Sequence, residues 1–246
     1  MSRSALLARS YNRCCHGLIV AVLACICGLP ATSAEAEKPK PLRYLRLEKD
    51  KFVLESEITQ KRTKEGSTYV SLTDRGKEKM TLTLHFDKDD QLTSAEAVQE
   101  TPKSKLQATA TFEGDTARIR RKNNVSAIRI PANPVVTTAP DWSDIFQLVQ
   151  RYDRKKSGPQ EFTGLWIHPA RQHLILAFRI ERIGEDAIRQ NGRKTALDRY
   201  RIRLRSGDYL TWADADRRVY KLFPAGHPEA AVVLEGFEEA TKKLGP

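Results

Sequence analysis

The chain has 246 residues, with 42 Lys and Arg against 31 Asp and Glu and a formal net charge of +11 at neutral pH. Its cysteines, Cys14, Cys15, Cys25 and Cys27, all precede Gly28, which excludes thiolate metal sites, cysteine nucleophiles and redox pairs from everything that follows. The basic balance favours anionic surfaces as partners.

Residues 1–34 read as a secretory signal: Arg3, Arg9 and Arg13 without an acid, the apolar run Gly17 to Leu29, then Pro30-Ala31-Thr32-Ser33-Ala34, with cleavage after Ala34 or two residues on. The 13-residue run is shorter than the roughly 20 apolar residues of a spanning helix. A further reading takes Val22-Leu23-Ala24-Cys25 as a lipoprotein box that would acylate Cys25. Either way the sequence predicts an exported chain, periplasmic or secreted. Cleavage at Ala34 leaves 212 residues, with 39 Lys and Arg against 31 Asp and Glu, a net charge of +8. That length suits a single antiparallel β domain over 42–246, preceded by a Pro-bearing flexible tether at 35–41.

From Lys51 to Ile130 short alternating runs follow one another, separated by turn chemistry such as Lys64-Glu65-Gly66, Asp74-Arg75-Gly76, Gly114-Asp115 and Asn123-Asn124. Hairpins are implied, and with them an antiparallel sheet. A proline-punctuated crossing, 131–140, leads into the one convincing amphipathic helix, Pro140 to Tyr152. Trp142, Ile145, Phe146, Val149 and Tyr152 form its apolar stripe, Asp141 is its candidate cap, and Asp144 completes a capping box. Strands resume at 161–167 and 174–183. Asn191-Gly192 is the strongest hairpin signal in the chain, and a meander follows at 195–205, 209–213 and 218–223. An apolar run at 230–234 precedes a charged tail, 238–246, that could close in a short helix. The expected fold is mainly β: a large curled antiparallel sheet, a half-barrel of about eleven or twelve strands around one central amphipathic helix.

A signal peptide or lipobox, a long meander, an inserted helix and a second meander resemble the half-barrels of bacterial lipoprotein carriers of the LolA, LolB and LppX type, together with related exported domains of unknown function. The resemblance is carried by Asp141 to His168 with Tyr200 to Phe223, including Ser206-Gly207-Asp208-Tyr209-Leu210-Thr211-Trp212-Ala213-Asp214. It implies a concave apolar surface for acyl chains and no catalytic residues.

Two constellations stand out. Trp142, Phe146, Val149 and Tyr152 could form one wall of an amphiphile pocket, with Tyr200, Ile202, Leu204 and Trp212 as the other. Leu197 to Arg205 alternates so that Arg199, Arg201, Arg203 and Arg205 share one face, a candidate anion platform that Arg118, Arg120, Arg129 and Arg179 could extend. The alternative for that face is a solvated surface with cross-strand acids such as Glu181. Nucleic acid is not expected, because no aromatic residues interleave the arginines. His85, His168, His173 and His227 show no metal-site spacing, although His168 and His173 could meet across a hairpin. Asp87-Lys88-Asp89-Asp90 and Asp214-Ala215-Asp216 lack the glycine and glutamate of a calcium loop. No nucleophile elbow, zincin motif, phosphate loop or dinucleotide fingerprint occurs, and no cofactor is expected. The sequence thus supports three classes of function: a non-catalytic carrier of a lipid or other amphiphile, a structural or envelope-associated protein acting through its basic face, and an enzyme with a dispersed site.

Overall fold

A computed structural model describes residues 39–48, 51–138 and 142–245. The leader, most of the tether, and Pro140 and Asp141 of the expected helix start lie outside the described residues. The described strands form one 15-stranded sheet: β1 (Leu42–Glu48), β2 (Lys51–Arg62), β3 (Gly66–Asp74), β4 (Lys79–Asp87), β5 (Leu92–Thr101), β6 (Ser104–Glu113), β7 (Thr116–Arg121), β8 (Asn124–Arg129), β9 (Val135–Thr137), β10 (Gln160–His168), β11 (Arg171–Gln190), β12 (Arg193–Leu204), β13 (Gly207–Ala213), β14 (Val219–Pro224) and β15 (Val232–Leu234). Among the described residues there is one α-helix, α1, spanning Ser143–Arg151 between β9 and β10.

The sheet has more strands than the eleven or twelve expected from sequence. Leu42 to Glu48 forms a strand whose polar side chains pair sideways, Arg43 with Glu57 and Glu235, Arg46 with Glu55. The proline-flanked β9 is three residues long, too short to leave a periodic pattern. In sheet order β8 to β1 run as a meander, β15 joins β1 to β14, and β13 to β9 complete the array. Every neighbouring pair is antiparallel except β9 with β10, where Val135, Val136 and Thr137 lie beside Gly164, Leu165 and Trp166 in parallel. A wholly antiparallel sheet was expected. The exception follows from α1, which carries the chain back between the two strands as a crossover.

Register fixes which side chains share a face. Asn191 and Gly192 take φ values of 49° and 76°, the primed turn expected there, and pair β11 with β12. Ile180 then opposes Ile202, and Tyr209 opposes Ile202 from the other side, so Tyr200, Ile202 and Leu204 point to the concave face that receives α1. There they join Tyr44, Ile58, Ile145, Leu148, Val149 and Phe178 in one buried cluster. A second cluster lies on the opposite face of β9 and β10, where Val136, Leu165 and Ile167 meet Leu82, Leu84, Ala95, Ala97, Ala110, Ala117 and Ile119. The alanines on β5 to β7 leave room for the edge of the sheet to be tucked beneath its other half, and β10 lies against β5 and β6. The sheet is therefore rolled over its own end rather than closed, since β8 and β9 remain its two edges.

The charged tail is a series of turns, with no helix assigned beyond the short 3-10 turn Pro228–Ala230. Phe237, Ala240 and Leu244 pack into the first cluster, Phe237 edge-on to Tyr220 at 4.7 Å. Lys221 Nζ donates to the Thr241 and Leu244 carbonyls at 3.1 and 2.6 Å, so its burial is tied to the tail.

Candidate functional site

Helix α1 is buried on every side from Ser143 to Val149, more completely than an amphipathic pattern requires. Its polar residues are absorbed by specific bonds. Gln147 receives the Val136 N–H at 3.0 Å and returns its own amide N–H to the Val136 carbonyl, pairing with β9 as a strand would. Trp142 occupies the cap position without a side-chain bond. The Asp144 carboxylate accepts the Ile145 N–H at 2.8 Å and the Thr137 hydroxyl at 3.5 Å, while Asp141, its expected partner in a capping box, lies outside the described residues. Burial outweighs these bonds and raises its pKa to about 7.

The two walls expected from sequence do not enclose one pocket. Tyr152 stacks edge-on to Tyr200 at 5.3 Å, and Val149, Tyr152, Tyr200 and Ile202 are close-packed core. Trp212 is on the other face: it opposes Arg199, not Tyr200, in the β12–β13 register. There its ring lies 5.3 Å from Phe223 and its indole N–H donates to Asp186 at 2.8 Å. Packing at the middle of α1 leaves a cavity at each end. The first, about 510 Å³, lies at the helix N-terminus and takes Trp142 and Leu204 from the expected set, together with Thr137, Thr138, Asp144, Trp166, Leu174, Leu176, Phe178 and Tyr209. The second, about 630 Å³, lies at the C-terminal end and takes Phe146.

The first cavity has an unusual polar inventory. The indole N–H groups of Trp142 and Trp166 and the hydroxyl of Thr138 are buried and, among the described residues, without a hydrogen-bond partner, although such groups normally find one. All three belong to residues that line this cavity, beside the Asp144 carboxyl, and Arg75 and Arg205 stand at its rim. Trp166, Leu174, Leu176 and Phe178 were not singled out from sequence. The signal that would have found them is the β10–β11 hairpin register, in which Trp166 opposes Leu174, Gly164 opposes Leu176 and Phe162 opposes Phe178. Gly164 is required there, since a Cβ would meet the Phe178 ring.

The arginine face of β12 is largely neutralised. Arg199 sits 3.7 Å from Asp186, Arg203 pairs with Asp208 at 3.0 Å, and Arg201 stands opposite Glu181. Arg205 reaches the rim of the first cavity instead. Arg179 opposes Arg203 and so extends this face, whereas Arg118, Arg120 and Arg129 lie on β7 and β8 in the other half of the sheet. The histidines are scattered: His85 contacts the Thr68 hydroxyl at 3.3 Å, His168 Nδ1 accepts the Ala170 N–H at 3.0 Å, His173 lies 3.4 Å from the Arg121 guanidinium, and His227 pairs with Glu229 at 3.0 Å. His168 and His173 are thus engaged separately. Among the described residues no three His, Cys, Asp or Glu side chains are placed to share a metal ion. Asp87 and Asp214 accept backbone N–H groups within their own turns.

No protein-family model matches the chain, and no curated protein matches it in sequence. Among solved structures, the crystal structure of a DUF1089 family protein from Pseudomonas aeruginosa is similar with a TM-score of 0.44 and 14% identity, covering 67% of this chain and 87% of that one.

Proposed function

We propose that the protein is an exported, non-catalytic binding protein that holds an amphiphile in the first cavity, in the manner of the half-barrel lipoprotein carriers whose order of elements its own resembles. The observation that carries this reading is the apolar wall of that cavity, Leu174, Leu176, Phe178 and Leu204, with the cationic side chains Arg75 and Arg205 in the same lining. An acyl or alkyl chain would cover the wall, and an anionic head group would lie toward Arg75 and Arg205. The reading of an interaction protein acting through the arginine face of β12 is weaker, because acids stand beside Arg199, Arg201 and Arg203.

The chain's three tryptophans make the test direct, since Trp142 and Trp166 line the cavity while Trp212 lies on the other face. Titration with 11-bromoundecanoate below its micellar concentration should quench Trp142 and Trp166 by contact with bromine. It should leave the fluorescence of a Trp142→Phe, Trp166→Phe variant unchanged. Equal quenching in that variant, or none in the parent, would remove the carrier reading.

A further inference from the structure

The second cavity differs in chemistry from the first. Its floor is aromatic and apolar, with the Tyr44 and Phe146 rings 4.7 Å apart, and its rim carries five cationic side chains, Lys40, Arg62, Arg151, Arg217 and Arg218, against two carboxylates, Asp90 and Asp216. Asp90 is consumed by Arg62 at 2.7 and 2.8 Å. Arg151, in the last turn of α1, donates to the carbonyl and side-chain oxygens of Asn133 at 2.6 and 3.3 Å, and among the described residues no carboxylate is paired with it. Those bonds take two of the five N–H groups of a guanidinium. Burial depresses its basicity, to a pKa of about 10.

Arg217 is placed at the cavity by its turn. It holds φ at 64° as the left-handed residue that closes the turn from Asp214 to Arg218, its N–H donating to the Asp214 carbonyl at 3.0 Å, and this turn sets the residue at the cavity mouth. The Gln150 amide, one turn along the helix face from Phe146, donates to the Arg217 carbonyl at 3.2 Å and ties this residue to the cavity. The C-terminal carbonyls of α1 bring a partial negative charge of about half a unit here, which the surplus cations exceed.

We propose that the second cavity is a binding site for a small organic anion, a phosphate monoester or its equivalent, whose charged group meets Arg151 and Arg217 and whose apolar body lies on Tyr44 and Phe146. Guanidinium groups match phosphate oxygens in pairs, and a site with a hydrophobic floor discriminates against the bare ion.

The experiment is calorimetric titration of the protein with phenyl phosphate at low ionic strength. Saturable binding is expected, weakened at least tenfold by Arg217→Gly and by Arg151→Lys, with inorganic phosphate binding at least tenfold more weakly than the ester. Arg217→Gly relieves the positive φ, so its thermal midpoint should equal or exceed that of the parent, which separates loss of the site from loss of the fold. The pair Arg118→Gln and Arg120→Gln on the outside of β7 removes two charges and should change affinity by less than twofold. Absence of saturable binding, full binding by Arg217→Gly, or equal loss in the β7 pair would overturn the assignment. Equal affinity for inorganic phosphate would overturn the role given to the aromatic floor.

Discussion

Asp144 is held where its charge is costly and its neutral form is not. Its folded pKa, about 7, lies above the ordinary carboxylate value of 3.8. Between these two values the folded chain keeps a proton that the unfolded chain has released, so stability falls as pH rises from about 4 to about 7. The full difference is on the order of 4 kcal/mol at one site. Asp144→Asn keeps an acceptor for the Ile145 N–H and removes the titration. Its thermal midpoint should therefore exceed that of the parent at pH 8 and match it at pH 4, and a constant offset across that range would show that Asp144 is ionised in the fold. Gly164→Ala tests the neighbouring wall. The new methyl must displace the Phe178 ring, at a cost of about 1 to 3 kcal/mol, visible as a lower urea midpoint.

At the scale of elements, what could be read in advance was whatever rests on local periodicity. The alternation of Tyr200, Ile202 and Leu204 with Arg199, Arg201 and Arg203 correctly separates a dry face from a wet one, and Asn191-Gly192 marks its turn. Trp212 was misplaced because its face depends on how β13 is registered against β12, information that lies in neither strand alone. The cavity residues Trp166, Leu174 and Phe178 escaped notice for a related reason: their hairpin presents apolar side chains on both faces, Leu165 and Ile167 to one cluster and Phe178 to the other, which erases a two-residue period. The tail segment behaves as a cover for the outer face of β14 rather than as an appendage. Phe237→Ala should cost about 2 kcal/mol through lost packing on Tyr220, and removal of residues 237–246 should lower the thermal midpoint further by exposing Lys221 and its carbonyl partners to water. A truncated chain that melts with the parent would show the tail to be dispensable.

Over the whole molecule, the sheet rolls over itself so that β10 lies against β5 and β6 without sharing a backbone ladder with them. β9 and β10 are held beneath β4 to β7 by apolar contact, and the seam is pinned at its rim where Arg121 donates to the Arg171 carbonyl and approaches His173. A closed barrel must break strand pairing to widen. A scroll need only slide side chains past one another, so its bore is adjustable at the cost of surface contacts. The β10–β11 hairpin that forms the seam also supplies Trp166, Leu174 and Leu176 to the first cavity, so on the proposed carrier reading loosening of the seam would be a route of entry for a bulky guest. The described residues contain no cysteine, so Arg121→Cys and His173→Cys can be bridged by a cleavable maleimide linker. The bridged protein should take up 11-bromoundecanoate more slowly than the cleaved one while reaching the same final quenching, whereas identical uptake would place the doorway elsewhere. On the proposed reading, the absence of a ladder between β10 and the β5–β6 pair leaves the seam free to slip, and cargo size would be set by how far the scroll can loosen rather than by the dimensions of the cavity at rest.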